Sequence, residues 1–305
     1  MRTANLDGRL VLMTDSGAVD VSVTSSGRFG SDPQSALEQW DELREWAATV
    51  DLPGEPVKES LLGPPVPRPR QVFGIGMNYA SHAAESGMEI PLHPATFTKF
   101  PTCITGPNAT VVLPSEKVDW EVELVAVIGR RAWAVDEADA MDHIAGFTVG
   151  QDLSERGVQW RKPHPQFSLG KSFPGFGPIG PSLVTIDELS DPHDLAITAT
   201  LNGETIQTGR TSDLIFSVPR LVAELSSIVA LLPGDLIFTG TPSGVGATRS
   251  PQRFLQPGDE LISTIEGIGS ILTTFGRGQH RRDTRMPPTS RTVDLPAEPA
   301  NSGAA

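Results

Sequence analysis

Two glutamates, Glu121 and Glu123, lie two positions apart at the start of an apolar run that ends at Ile128. The run predicts a β-strand, and residues two apart on a strand share a face, so both carboxylates point the same way. Two like charges among apolar residues repel each other unless a cation lies between them. Mg²⁺ prefers oxygen ligands and is the simplest candidate, although a strand start whose acids face water would give the same pattern.

A third carboxylate, Asp152, follows the apolar run from Ala145 to Gly150, where a second strand is expected to finish. With the two glutamates it can complete a Glu–Glu–Asp site that leaves coordination positions open for water and substrate. An aspartate at this place can equally cap the next helix, and both readings stay open.

Two further groups have chemistry suited to catalysis. On a helix, His82 and Glu85 are three positions apart and can meet, and a carboxylate beside a histidine fixes its tautomer and raises its basicity. A surface pair of no consequence has the same spacing. Lys171 lies between Gly170 and a Gly/Pro-rich stretch, where it is either an anion-binding group or a surface lysine.

Composition and charge limit the class of protein. The 305 residues carry 24 Lys and Arg against 37 Asp and Glu, a formal net charge of −13. This excess of acids argues against nucleic acid or an anionic membrane as the main partner. The single cysteine, Cys103, excludes an internal disulfide and a cysteine-based zinc site. A signal peptide and a long apolar span are not evident, so we expect a soluble, cytoplasmic protein.

The elements that position these groups are expected to form a small N-terminal α/β domain and a larger one. A hairpin over residues 10–23, a helix capped by Asp32 with Pro33 at its first position, and a Pro-rich connector predict a domain at 1–70. Residues 71–276 read mostly as strands, at 72–75, 121–128, 146–150, 195–201, 235–239 and 260–265, with one helix at 218–229. Regular strand–helix alternation is missing, which favours an α+β fold. Residues 277–305 predict a disordered tail.

Six segments, taken together and in order, resemble the fumarylacetoacetate hydrolase family. They span Gln71 to Phe275, about two thirds of the chain. The matching segments are Gly74–His82, Gly106–Asn108, Glu121–Glu123, Gly150–Arg156, Lys171–Phe173 and Gly240–Gly246.

The resemblance implies a catalytic domain folded as a mixed β-roll and assembled as a homodimer. It implies a divalent metal, commonly Mg²⁺ with Mn²⁺ or Ca²⁺ as substitutes, on Glu121, Glu123 and Asp152, and a His82–Glu85 dyad on a lid. The positions expected to contact substrate are Tyr79, Arg156, Gln159, Lys171 and Thr241. Two positions depart from the family, because Gly157 stands where many members carry aspartate and Glu155 where alanine is common.

The leading function that the resemblance implies is metal-dependent hydrolysis of a C–C bond in a 2,4-dioxo acid of the acylpyruvate type. His82 would activate water, and Lys171 with the metal would stabilise the resulting enolate. The same groups support tautomerisation or decarboxylation of an oxaloacetate-like acid and hydration of a 2-oxo-4-enoate. A non-catalytic protein that binds metal or oxo acids is a lesser alternative. Aromatic catabolism is the expected setting.

Overall fold

The computed structural model of the protein describes residues 1–85, 87 and 89–277. The predicted tail lies outside the described residues from position 278 onward. The first residue assigned to that tail, Arg277, instead ends a strand and pairs with Leu113.

Within these residues the secondary structure is mostly β. The eighteen strands of this part of the chain are β1 (Arg2–Leu6), β2 (Arg9–Thr14), β3 (Gly17–Asp20), β4 (Leu62–Gly63), β5 (Val72–Gly76), β6 (Ala95–Thr98), β7 (Ile104–Thr105), β8 (Asn108–Leu113), β9 (Val118–Asp119), β10 (Val122–Ile128), β11 (Ile144–Gln151), β12 (Ser154–Glu155), β13 (Gly177–Val184), β14 (Ala196–Leu201), β15 (Glu204–Arg210), β16 (Leu236–Phe238), β17 (Glu260–Ile265) and β18 (Gly269–Arg277). Its seven α-helices are α1 (Val21–Thr24), α2 (Pro33–Ala36), α3 (Trp40–Ala47), α4 (Ala80–Glu85), α5 (Arg156–Gln159), α6 (Phe167–Gly170) and α7 (Val218–Ser226).

Most strands belong to two mixed sheets. The larger has the order β3–β2–β1–β13–β11–β10–β16–β5–β6, with β4 paired to β1 and β7 to β13, and the smaller has the order β15–β14–β17–β18–β8. Pairing is mainly antiparallel, but β16–β5, β13–β7 and β18–β8 are parallel. Mixed sheets with few helices agree with the predicted α+β class.

Strand β10 lies between β11 and β16 in the larger sheet, and its side chains belong to two hydrophobic clusters. Its even-numbered residues from Val122 to Ile128 pack with apolar residues of β14, β17, β18 and α7. Val125 and Val127, on the opposite face, enter a second cluster. The predicted alternation along this strand is therefore confirmed, and it fixes the face on which Glu123 lies.

The first 70 residues share their sheet and core with the rest of the chain. Strand β1 pairs with β13, with Arg2 opposite Val184. Leu43 of α3 belongs to the same buried cluster as Val127 and Phe238. One sheet thus joins the two predicted domains. The division at residue 70 remains a prediction.

Most predicted elements occur where expected, with shifted ends. Strands lie at each position predicted between 71 and 276, and helix α7 ends at Ser226, three residues earlier than predicted. The extension of the first hairpin to Val23 is wrong, because Asp20 ends β3 and caps α1 by accepting the N–H of Val23 at 2.9 Å. Among the described residues, none of the helices has the length and apolar character that crossing a membrane requires.

Candidate active site

The three predicted carboxylates lie together at the ends of β10 and β11. Glu121 directly precedes β10, Glu123 is its second residue, and Asp152 directly follows β11. The backbone N–H of Asp152 donates to the carbonyl of Glu121 at 2.9 Å. All three side chains are buried, and one carboxylate oxygen from each lies within 4.8 Å of the others. Antiparallel pairing of the two strands thus assembles the cluster from distant parts of the sequence.

Asp152 does not cap the following helix. The residue that caps α5 is Glu155, whose carboxylate accepts the N–H of Val158 at 2.5 Å and the hydroxyl of Ser115 at 2.6 Å. A Cβ at Gly157 would lie 3.0 Å from this carboxylate. The two departures from the family pattern therefore adjoin each other, with Glu155 filling the space beside Gly157.

Two buried lysines neutralise part of the acidic cluster. The Lys171 ammonium donates to Glu121 at 2.6 Å, to Asp152 at 2.7 Å and to the Ser154 hydroxyl at 2.8 Å. The Lys99 ammonium donates to the other oxygen of Asp152 at 2.5 Å and to the carbonyl of Lys171. Lys171 is therefore not a surface lysine, and Lys99 is a site residue that the sequence analysis missed.

Burial and nearby charges shift the pKa values of the two glutamates in opposite directions. Burial works against ionisation of Glu121, but the charges of Lys171 and Arg156 outweigh it and lower its pKa to about 2. Burial raises the pKa of Glu123 well above its ordinary value, and the charges of Asp152 and Glu121 raise it further. The hydrogen bond from the N–H of Gly240 at 2.8 Å offsets this only in part.

This arrangement fits a divalent cation. The donors are all carboxylate oxygens, which hard cations such as Mg²⁺ and Mn²⁺ accept. A cation beside Glu123 would also supply the positive charge that this buried carboxylate lacks. Glu121, Glu123 and Asp152 are the residues that would hold it.

The predicted dyad is present on helix α4. His82 Nδ1 lies 3.4 Å from a carboxylate oxygen of Glu85, and the Glu85 carboxylate accepts the N–H of Gly244 at 3.1 Å. Burial opposes ionisation of Glu85, but the hydrogen bonds from His82 and Gly244 outweigh it, so its pKa is lowered. Because Nδ1 faces the carboxylate, Nε2 is the ring nitrogen left for proton exchange.

Arg156 is fixed by a carboxylate that the sequence analysis did not single out. Asp119 accepts from Arg156 Nε at 2.9 Å and Nη2 at 2.7 Å, and Nη1 donates to Gln159 at 2.7 Å. Asp119 also accepts the N–H groups of Gly246 and Ala247. Since Asp119 precedes Glu121 by two residues, the alternation that revealed the glutamates was the signal for Asp119 as well.

The loop after β16 completes the site. The Thr241 hydroxyl donates to the carbonyl of Val122 at 2.8 Å and lies 2.8 Å from the Gln207 amide nitrogen, which fixes its position. The same loop contacts Glu123 through Gly240, Glu85 through Gly244 and Asp119 through Gly246. The loop therefore holds the carboxylates, the dyad and the arginine in one arrangement.

These groups surround a cavity of about 600 Å³. Of the predicted site residues, those that line it are His82, Glu121, Glu123, Arg156, Gln159, Lys171 and Thr241. Glu85 and Asp152 lie just behind it, bonded to His82 and Lys171.

Tyr79 does not line the cavity. It is fully buried, and its hydroxyl has no hydrogen-bond partner among the described atoms. Burial raises its pKa, and the charges of Glu123 and Asp213 raise it further. The predicted contact between Tyr79 and substrate finds no support in this geometry.

The fold and the buried acidic site define a family. The family model for the fumarylacetoacetate (FAA) hydrolase C-terminal domain matches residues 71–275. The chain therefore belongs to the fumarylacetoacetate hydrolase family, as its six motifs predicted.

The proteins similar to this chain include both a tautomerase and a hydrolase. The mitochondrial oxaloacetate tautomerase FAHD2A of Homo sapiens is 46% identical over 228 residues, which cover 74% of this chain and 73% of that protein. A Mycobacterium smegmatis crystal structure, provisionally named an HpcE protein, is 55% identical with a TM-score of 0.88, covering 91% of this chain and 100% of that chain. The maleylpyruvate hydrolase of Sphingobium sp. SYK-6, solved with manganese(II) and pyruvate, is 27% identical with a TM-score of 0.75, covering 92% and 100%.

Proposed function

We propose that the protein is a divalent-metal-dependent enzyme that interconverts the enol and keto forms of a 2-oxo acid, with oxaloacetate as the first substrate to test. The observation that carries the proposal is that Glu121, Glu123 and His82 line one cavity, with Asp152 and Glu85 directly behind them. Human FAHD2A, named an oxaloacetate tautomerase, supports this reaction over the predicted C–C hydrolysis.

A cation on Glu121, Glu123 and Asp152 would act as a Lewis acid that orients and polarises a 2-oxo acid. We propose Mg²⁺ as the ion in the cell, with Mn²⁺ or Ca²⁺ as substitutes. The manganese(II) in the maleylpyruvate hydrolase structure supports a divalent ion without choosing among these metals.

The chain's own residues supply the remaining chemistry. Arg156 and Lys171 line the cavity as positive groups and would position the substrate carboxylate and stabilise negative charge developing on the 2-oxo oxygen. His82 Nε2 would remove the proton from the enol hydroxyl and deliver it to C3, giving the keto form without a net change in protons. Glu85 would hold the ring and stabilise its protonated state.

Hydrolysis of an acylpyruvate is a second candidate. A histidine held by a carboxylate is also the arrangement that activates water, and a maleylpyruvate hydrolase shares the fold. Decarboxylation, hydration of a 2-oxo-4-enoate and binding without catalysis remain predictions of the sequence.

The test follows the loss of the oxaloacetate enol absorbance with Mg²⁺, Mn²⁺ or EDTA, and acetylpyruvate products by NMR. We expect metal-dependent ketonisation that His82→Ala abolishes and His143→Ala, a change outside the cavity lining, leaves intact. Cleavage of acetylpyruvate without ketonisation of oxaloacetate would favour the second candidate. Inactivity on both substrates would contradict the proposal.

The homodimer, the cytoplasmic location and the role in aromatic catabolism are also proposals carried over from the sequence. Sedimentation velocity on the purified chain tests the first directly. The name of human FAHD2A places that relative in mitochondria, so this relative does not support the proposed cytoplasmic location.

A further inference from the structure

Three aromatic side chains form a connected row in the cavity, here called the aromatic row: Phe97, Phe167 and Trp160. The ring centroids of Phe97 and Phe167 are 6.0 Å apart, and those of Phe167 and Trp160 are 5.1 Å apart. All three line the cavity, and none belongs to the hydrophobic clusters of the described residues. The row is therefore not core packing, and its apolar surface is available to a ligand.

The aromatic row leads from the charged end of the cavity to the surface. Lys171 Nζ lies 5.0 Å from the centroid of Phe97, within cation–π range, whereas Trp160 is 45% exposed. The place of Phe97 is fixed by Gly74, because a Cβ there would lie 2.4 Å from the phenyl ring. A ligand anchored at the carboxylates would thus extend along the rings.

The charged groups of the cavity are concentrated at one end and already paired. Arg156 bonds Asp119 and Glu121, and Lys171 bonds Glu121 and Asp152. Among the described residues, the cavity lining contains no lysine or arginine besides these two. A second carboxylate beside Phe167 and Trp160 would lie against aromatic rings, with the nearby Lys171 already paired to Glu121 and Asp152, which is unfavourable. An apolar group there would be stabilised by burial.

We propose that the aromatic row is a subsite for an apolar substituent at the far end of a 2-oxo acid. Among 2-oxo acids long enough to reach the row, those with an alkyl or aryl group at the far end are then preferred over those with a second carboxylate there. This inference rests on the proposed function, because the oxo-acid end has to be anchored near the acidic triad. The cavity of about 600 Å³ lies within the roughly 300–1,000 Å³ typical of sites for ligands of that size.

The test is calorimetric titration of the Mn²⁺-loaded protein, which needs no turnover. The probes are oxalate, 2-oxoglutarate and 2-oxo-4-phenylbutanoate, the last two differing in whether C4 carries a carboxylate or a phenyl group. We expect the phenyl compound to bind at least about tenfold more tightly than 2-oxoglutarate. In Trp160→Ala and Phe167→Ala, this ratio should fall to about threefold or less.

Trp133→Ala is the matched control, since Trp133 is 52% exposed and lies outside the cavity lining. It should keep the parent ratio. Equal or tighter binding of 2-oxoglutarate, or an unchanged ratio in both row variants, overturns this inference while oxalate still binds. Failure of oxalate to bind contradicts the proposed function, and this inference with it.

Discussion

Asp152 is held between two buried lysines, and this pairing stabilises the acidic cluster before any metal is added. One carboxylate oxygen accepts from Lys99 and the other from Lys171, and all three side chains are almost fully buried. Removing one partner of such a group leaves an uncompensated buried charge.

Replacing Lys99 with methionine tests this pairing. We expect Lys99→Met to lower the free energy of unfolding in EDTA by about 3–5 kcal/mol, measured by urea denaturation. The control is Lys58→Met at an exposed lysine, which should change the unfolding free energy by less than about 0.5 kcal/mol. An equally small effect in both variants would contradict the structural role of Lys99.

The sequence predicted the site residues whose signal is local. Glu121 and Glu123 are two positions apart at the start of β10, and His82 and Glu85 are separated by one helical turn, so spacing alone predicted that each pair can meet. Lys99 gave no local signal, because its partners are separated from it by 53 and 72 positions along the chain. Tyr79 lies next to the dyad in sequence, but its side chain points into the protein.

Helix α4 is attached to the loop after β16 by a charged group. Glu85 accepts the N–H of Gly244 and bonds His82, and its pKa is lower than its ordinary value of 4.5. Folding therefore favours the ionised carboxylate. The contribution of the Glu85 carboxylate to the stability of the folded state is fully present above pH 4.5 and is lost as the pH falls through the lowered pKa of the folded state.

Hydrogen exchange at the Gly244 amide measures this attachment. We expect protection, corrected for the intrinsic exchange rate, to be constant above pH 4.5 and to fall at lower pH as Glu85 is protonated. Glu85→Gln should remove this pH dependence, and Glu89→Gln, at an exposed position, should keep it. The same pH dependence in Glu85→Gln and the parent would show that another group holds the helix.

At the level of elements, the sequence predicted strands with apolar or alternating runs, such as β10 and β17, and did not predict β13, whose composition is unusual. Strand β13 contains Pro178 and Pro181, which normally indicate a break, yet it lies between β1 and β11. Its pairing with β11 is irregular between Phe147 and Val149, which accommodates the proline-containing stretch.

One hydrophobic cluster of the described residues crosses the predicted domain boundary. Leu43 of α3 is completely buried in the cluster that contains Val127 of β10, the strand that carries Glu123. Stability of the N-terminal part and of the site should therefore be coupled.

Truncating Leu43 tests the coupling. We expect Leu43→Ala to lower the unfolding free energy by about 2–5 kcal/mol and to reduce hydrogen-exchange protection in β2 and β10 alike. Val23→Ala, at a residue 72% exposed, should leave both strands unchanged. Loss of protection in β2 alone would show that residues 1–70 unfold independently.

We propose that the carboxylate triad, with a divalent metal, promotes enolisation of 2-oxo acids. The most direct measurement is ¹H NMR of 2-oxobutanoate in D₂O with the protein, which follows exchange of the C3 protons without requiring a net reaction. The proposed enolisation predicts exchange that requires Mg²⁺, stops in EDTA and is lost in Glu123→Gln. Exchange no faster than the protein-free rate, or exchange unaffected by EDTA, would contradict it.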